Sequence, residues 1–219
     1  MGLSRVAVLA LTTLLVAAVA LSACAASEPR AEQAGALLDD PVRLLRAYFA
    51  ATSGFGFRFD GEFWQIAIPV FTRPGAARTE IPIWVAGVNE KMVGAAGATA
   101  DALVGHPIAT RRWHRERTLH WLRAAEAKAG RVTGSCKLAP YVLTSLAATR
   151  EQAVRDAKGQ IGFYFTVSVY HTILAFHALP EVAAACRAAL ARFDLRAMAD
   201  AIPDALVDAT VGYQVDPST

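Results

Sequence analysis

The sequence predicts an α/β fold in which short parallel strands alternate with helices. Two apolar runs carry this reading. Residues 81–87 (Ile-Pro-Ile-Trp-Val-Ala-Gly) and Ala102–Gly105 are bounded by Pro, Gly or Asp and are too brief for helices. Uninterrupted rather than alternating apolar character is what a parallel strand covered on both faces requires. Between the two runs, residues 89–101 are long enough for one crossover helix, with Met92, Val93, Ala96 and Ala100 facing inward, which completes a βαβ unit.

The other elements follow in chain order. Residues 41–52 carry Val42, Leu45 and Phe49 on one stripe with Gly54 beyond, the pattern of a helix. Residues 55–82 are rich in aromatics, Gly and Pro, which fits a long packed loop or a short hairpin. Thr110 can cap a long helix through Lys128, closed by Gly130. A third strand is expected over residues 137–146, carrying Tyr141, Val142 and Leu143. Thr149-Arg150-Glu151-Gln152 is a capping box, so a helix should start there and run into the apolar stretch 161–174, weakened in its middle by Gly159 and Gly162. Pro180 in a first turn and Asp194 as a cap open two more short helices.

The N-terminus has a different character. Arg5 precedes an apolar run of 16 residues, Val6 to Leu21, with only Thr12 and Thr13 polar. A charged start followed by such a run is the pattern of an export signal, and it is shorter than the roughly 20 residues that span a bilayer comfortably. It ends in Leu21-Ser22-Ala23-Cys24, which resembles the bacterial lipobox. That resemblance implies lipidation of Cys24, a protein anchored at the cell membrane facing outside the cytoplasm, and a signal peptide over residues 1–24. An uncleaved transmembrane helix extended through Ala26 is the other reading. Residues 25–40 are small and polar without a sustained apolar period, as a flexible tether is. The working domain is expected over residues 41–219.

Composition narrows the partners. Of 219 residues 54% are hydrophobic and 19% charged, and the net charge of +3 comes from 22 basic and 19 acidic residues spread along the chain. No Lys/Arg stripe of the kind phosphate-backbone binding needs is present, so nucleic acid is not an expected partner. His114 and His120, like His171 and His177, are six apart, which places them on different helix faces; no metal site is expected. Cys136 and Cys186 have no CxxC spacing; two buried thiols are favoured over a disulfide, which an extracytoplasmic location would permit. Asp60 and Glu62 flank Gly61 and are expected as solvated loop carboxylates. Where the strand 81–87 meets the next helix, a small-residue loop leaves backbone N–H groups able to hold an anion, or simply makes the turn.

Several strings together resemble the C-terminal part of the luciferase-like monooxygenase family, within it most closely the branch using the deazaflavin coenzyme F420. They are Phe59-Asp60-Gly61-Glu62-Phe63-Trp64, residues 81–92, Gly97, Ala100-Asp101, Gly105-His106-Pro107, and Gln160-Ile161-Gly162-Phe163-Tyr164. The resemblance runs from about Pro41 to Asp208. It implies a (β/α)8 TIM barrel represented by its C-terminal strands and helices only, with F420, or alternatively FMN, at the C-terminal ends of the strands and a small-molecule substrate. By the same resemblance Ala86, Gly87, Val88 and Asn89 contact the cofactor, and Gly105 and His106 stand at the end of the next strand, where His106 is either a ring or phosphate contact or a barrel-rim histidine that hydrogen-bonds a loop. No catalytic residue is assigned. The family commonly has Pro after the Asn and Gly after the Asp, where this chain has Glu90 and Ala102. Three strands are counted, and the 195 residues after Cys24 fall below the about 250 of a whole barrel. The expectation is therefore a shortened barrel, its last strand-helix segment curtailed after Asp208 and residues 1–24 standing where the first strands would be. Non-catalytic binding through the exposed face or edge of the half barrel, with a second copy as one partner, is the alternative function; a cytoplasmic gene-boundary product is the alternative location.

Overall fold

The computed structural model describes residues 34–51, 56–70 and 79–215, with side chains from residue 38 to residue 210 within those spans. The expected leader, Cys24 and residues 25–33 lie outside the described residues. The elements below belong to one unit, Gly35–Thr219.

The first helix, α1, is Ala34–Ala50 and begins before Pro41, which lies inside it. The tether expected over residues 25–40 is therefore helical from Ala34. Asp40 explains why the chain is ordered here: its buried carboxylate accepts from the backbone N–H of Phe63 at 2.6 Å and of Trp64 at 3.3 Å. Those two donors lie in the turn of an antiparallel hairpin, β1 (Phe57–Asp60) and β2 (Gln65–Ile68), paired Phe57 to Ile68 and Asp60 to Gln65. Of the two alternatives for residues 55–82, the hairpin is found. Phe57 and Phe59 point from it onto Leu44 and Ala47 of α1.

Next come β3 (Trp84–Gly87), α2 (Glu90–Thr99) and β4 (Ala102–Gly105), the expected βαβ unit, with β3 and β4 parallel and Gly87 opposite Gly105. The third helix, α3, runs through Arg111–Trp113, a π-helical stretch His114–Thr118 and Leu119–Lys128. Thr110 caps it, accepting from Trp113 N–H at 3.0 Å, and Gly130 turns the chain away at φ 68°. The expected strand 137–146 divides in two. β5 (Lys137–Pro140) pairs parallel with β4, whereas β6 (Leu143–Ala147) pairs parallel with β7 (Val211–Val215). Tyr141 and Val142 form the exposed bend between them, and Pro140 cannot donate to a ladder, which favours a break there.

The capping box works as expected at Thr149, which accepts from Gln152 N–H at 3.3 Å and opens α4 (Arg150–Phe165). The helix does not run on to Leu174. It stops at Phe165, a 3-10 turn Ser168–Tyr170 intervenes, and α5 (His171–Phe176) starts afresh. Gly162 serves packing: a Cβ there would lie 2.9 Å from Met198 Cγ, so α4 and α7 (Leu195–Asp200) approach closely only because it is absent. Pro180 opens α6 (Pro180–Ala191) and Asp194 caps α7, accepting from Ala197 N–H at 2.9 Å. After them α8 (Asp204–Thr210) leads into β7, a strand position that the count of three omitted.

Two buried layers hold these elements. Val42, Val85, Val93, Leu103, Leu122 and Cys136 pack α1, α2 and α3 on one face of β3-β4-β5. A larger core joins Trp113 and Leu143 to α4–α8 through Ile161, Phe165, Cys186 and Met198. Cys136 and Cys186 are both free and buried, in different clusters, as favoured from the sequence. A fully buried Leu or Ile contributes roughly 1.5–3 kcal/mol, against less than about 1 kcal/mol for an exposed pair such as Arg112–Glu116, so apolar burial dominates. The expectation of strands covered on both faces fails for β3: Val85 is buried, but Trp84 is 61% exposed and Ala86 is exposed, because the helices lie on the other face.

Candidate functional site

Parallel pairing places the C-terminal ends of β3 and β4 side by side, and Gly87 and Gly105 are register partners there. Tyr141 N–H donates to Gly105 O at 3.0 Å, so the exit of β5 is tied to the same edge. At Gly105 the missing side chain is required, since a Cβ would come within 2.5 Å of His114 Cε1. His114 is buried in the π-helical turn, shares a hydrogen bond with Thr118 Oγ1 at 3.2 Å, and burial holds its pKa below the ordinary value.

His106 follows directly. Its ring lies against Tyr164, edge-on at 4.8 Å between centroids, and against Tyr170 at 4.3 Å. Burial among these rings lowers its pKa to about 4, so the imidazole is neutral at physiological pH. The backbone N–H of Ile108 donates to Nδ1 at 3.4 Å, which leaves Nε2 as the protonated nitrogen. Burial likewise raises the Tyr164 phenol. The group available beside the strand ends is thus a neutral hydrogen-bond donor rather than a cation.

Asn89 behaves differently from the other expected contacts. It stands at the N-cap of α2 but its side chain does not cap. Instead Nδ2 donates to Val169 O at 3.0 Å and Oδ1 accepts from Thr172 Oγ1 at 2.8 Å, tying the β3–α2 loop to α5 and the turn before it. The first-turn N–H groups of α2 therefore keep no Asn89 cap, and Glu90 sits among them, where a carboxylate complements the helix dipole. Of the six expected contacts, Ala86, Gly87, Gly105 and His106 meet at the paired strand ends. Val88 packs against the larger core, and the Asn89 side chain is spent on α5.

Tyr170 and His114 were missed from sequence. Tyr170 fell inside a helix expected to be continuous, and the β-branched pair at Thr166 and Val167 was the available signal for its break. His114 was weighed only as a metal ligand, and a π-helical turn has no local sequence signature.

Parallel strands covered by helices on one face, with small residues and a histidine at their C-terminal ends, define an α/β fold with a parallel sheet. The chain belongs to the luciferase-like monooxygenase family, whose pattern matches residues 21–215. Uncharacterised proteins of Mycobacterium tuberculosis and Mycobacterium bovis are 28% identical over 151 residues, 63% of this chain and 44% of theirs, so the chain spans less than half the length of these relatives. Among solved structures, the coenzyme F420 dependent tetrahydromethanopterin reductase of Methanopyrus kandleri superposes with a TM-score of 0.65 at 15% identity, covering 80% of this chain and 51% of that one. An F420-dependent secondary alcohol dehydrogenase in complex with an F420-acetone adduct gives 0.54 at 14% identity, over 82% and 48%. These likenesses concern the fold.

Proposed function

We propose that the chain is the C-terminal strand-and-helix portion of an oxidoreductase that uses coenzyme F420, with FMN as the alternative, and acts on a small molecule. The observation that carries this reading is the pairing of Gly87 with Gly105 beside a neutral His106 at the strand ends. The residues present fit a flat ring. The exposed methyl of Ala86 leaves the open face of β3 clear for it, and His106 Nε2–H is a donor that costs no charge neutralisation. When bound, the deazaflavin supplies hydride transfer; the chain's own part is to position and to exclude water. Glu90, near the free first turn of α2, opposes a phosphate there and favours contacts through the ring. The two F420-dependent neighbours and the family support the reading.

The test is titration of F420, and separately FMN, into the purified protein with cofactor fluorescence as readout. A saturable change is expected for F420, lost in Ala86→Trp, whose side chain would fill the exposed face at the end of β3. An unchanged signal with both cofactors rules the reading out.

A second reading, a non-catalytic interaction domain, is favoured by the face of β3 opposite the helices, where Trp84 is 61% exposed. Association with a second copy, reversed by Trp84→Ser in sedimentation experiments, would favour it; a monomer with unchanged behaviour would dismiss it. In either reading the sequence Leu21-Ser22-Ala23-Cys24 supports a lipid anchor at Cys24 and a place at the outer face of the membrane.

A further inference from the structure

Just beyond the end of β3, a cleft of about 450 Å³ opens between the start of α2, the first turns of α3 and α5. Its size suits a small molecule. Trp113, Trp121 and Phe176 form its apolar walls, with Trp113 and Trp121 edge-to-face at 5.6 Å and Trp113 and Phe176 at 5.3 Å. Arg117 lies over the Phe176 ring at 5.4 Å, and Glu90 lines the cleft as well. Among the described residues neither Glu90 nor Arg117 is in an ion pair, although the neighbouring Arg112 is held by Glu116 at 3.1 Å. Trp113 is 3% exposed, and its indole Nε1–H is a buried donor without an acceptor. A cation and an anion thus share one aromatic-walled space.

We propose that this cleft binds a small aromatic zwitterion, its carboxylate on Arg117, its ammonium on Glu90 and its ring between Trp121 and Phe176. Opposite charges that face a common space without neutralising each other match a ligand carrying both. Aromatic walls supply the affinity that exposed ion pairs alone lack. Asn89 and Thr172, already bonded to each other at the rim, tie this cleft to the loop that also ends at the proposed cofactor site.

The experiment uses the whole chain and three probes, L-phenylalanine, 3-phenylpropionate and phenethylamine, with tryptophan fluorescence and calorimetry as readouts and no cofactor present. L-phenylalanine is expected to bind at least fivefold more tightly than either probe lacking one charge. Arg117→Gln should remove that preference against phenethylamine, Arg117→Lys should restore part of it, and Glu90→Gln should remove the preference against phenylpropionate. Both side chains are exposed, so thermal melts of the variants should match the parent. Equal affinity for all three probes overturns the charge pairing. Absence of binding of any probe, with F420 binding intact, overturns the cleft as a site while leaving the cofactor reading untouched.

Discussion

Replacing His106 by Gln should flatten the acid limb of the stability curve. The folded protein holds His106 neutral, with a pKa of about 4 set by burial, whereas an unfolded histidine titrates near its ordinary value of 6.5. Between these values the unfolded chain binds a proton that the folded chain refuses, so stability is full above about 6.5, falls as pH drops toward 4, and levels off below. At 1.36 kcal/mol for each pH unit separating the two values, the total is about 3 kcal/mol. By about pH 4.5 roughly 2.5 kcal/mol of it is gone. His114 and His177 are depressed by burial too and act in the same direction, but they are present in both proteins. The assay is urea unfolding of parent and His106→Gln at about pH 7 and about pH 4.5. The parent should lose about 2.5 kcal/mol more than the variant between the two. Parallel losses would refute the claim that the tyrosine-walled pocket excludes the imidazolium.

Other predictions test the supports of the site. Glu126, fully buried, accepts from Cys136 N–H at 2.7 Å, Gly134 N–H at 2.9 Å and Arg123 at 2.9 Å. Burial alone would raise its pKa, but the two backbone donors and Arg123 outweigh it and hold the carboxyl low. Glu126→Gln should cost about 3 kcal/mol and lower Tm by about 6–12 °C, and the difference from the parent should shrink as pH falls below the ordinary carboxyl range. Gly105→Ala should destabilise by about 1–3 kcal/mol through its contact with His114, and His114→Ala should relieve part of that in a double-mutant cycle of melts. Cys24→Ala should move the protein from the membrane fraction to the soluble one; equal retention in membranes would dismiss lipidation at Cys24.

Much of the fold was legible wherever local chemistry and tertiary need agree. The βαβ unit could be read because its strands are short apolar runs, and Thr110, Thr149 and Asp194 cap the helices their types predict. What failed depended on distant partners. Asp40 looks like a linker residue until the hairpin turn supplies donors to it, and β5 and β6 separate because β4 and β7 pull one stretch in two directions. β7 was invisible since its pairing with β6 spans the whole α4–α8 segment. At the site, the glycines and His106 were identifiable by type and position. The destination of the Asn89 side chain was set by α5, which lies more than 80 residues away.

The central claim is that cofactor and His106 share the ends of β3 and β4, and the most direct measurement is the imidazole nitrogen NMR signal of His106 during addition of F420. The account predicts a neutral ring before addition, protonated at Nε2, whose Nε2 resonance shifts saturably with the same midpoint as the fluorescence change. Saturable F420 binding that leaves the His106 resonance where it began would contradict it.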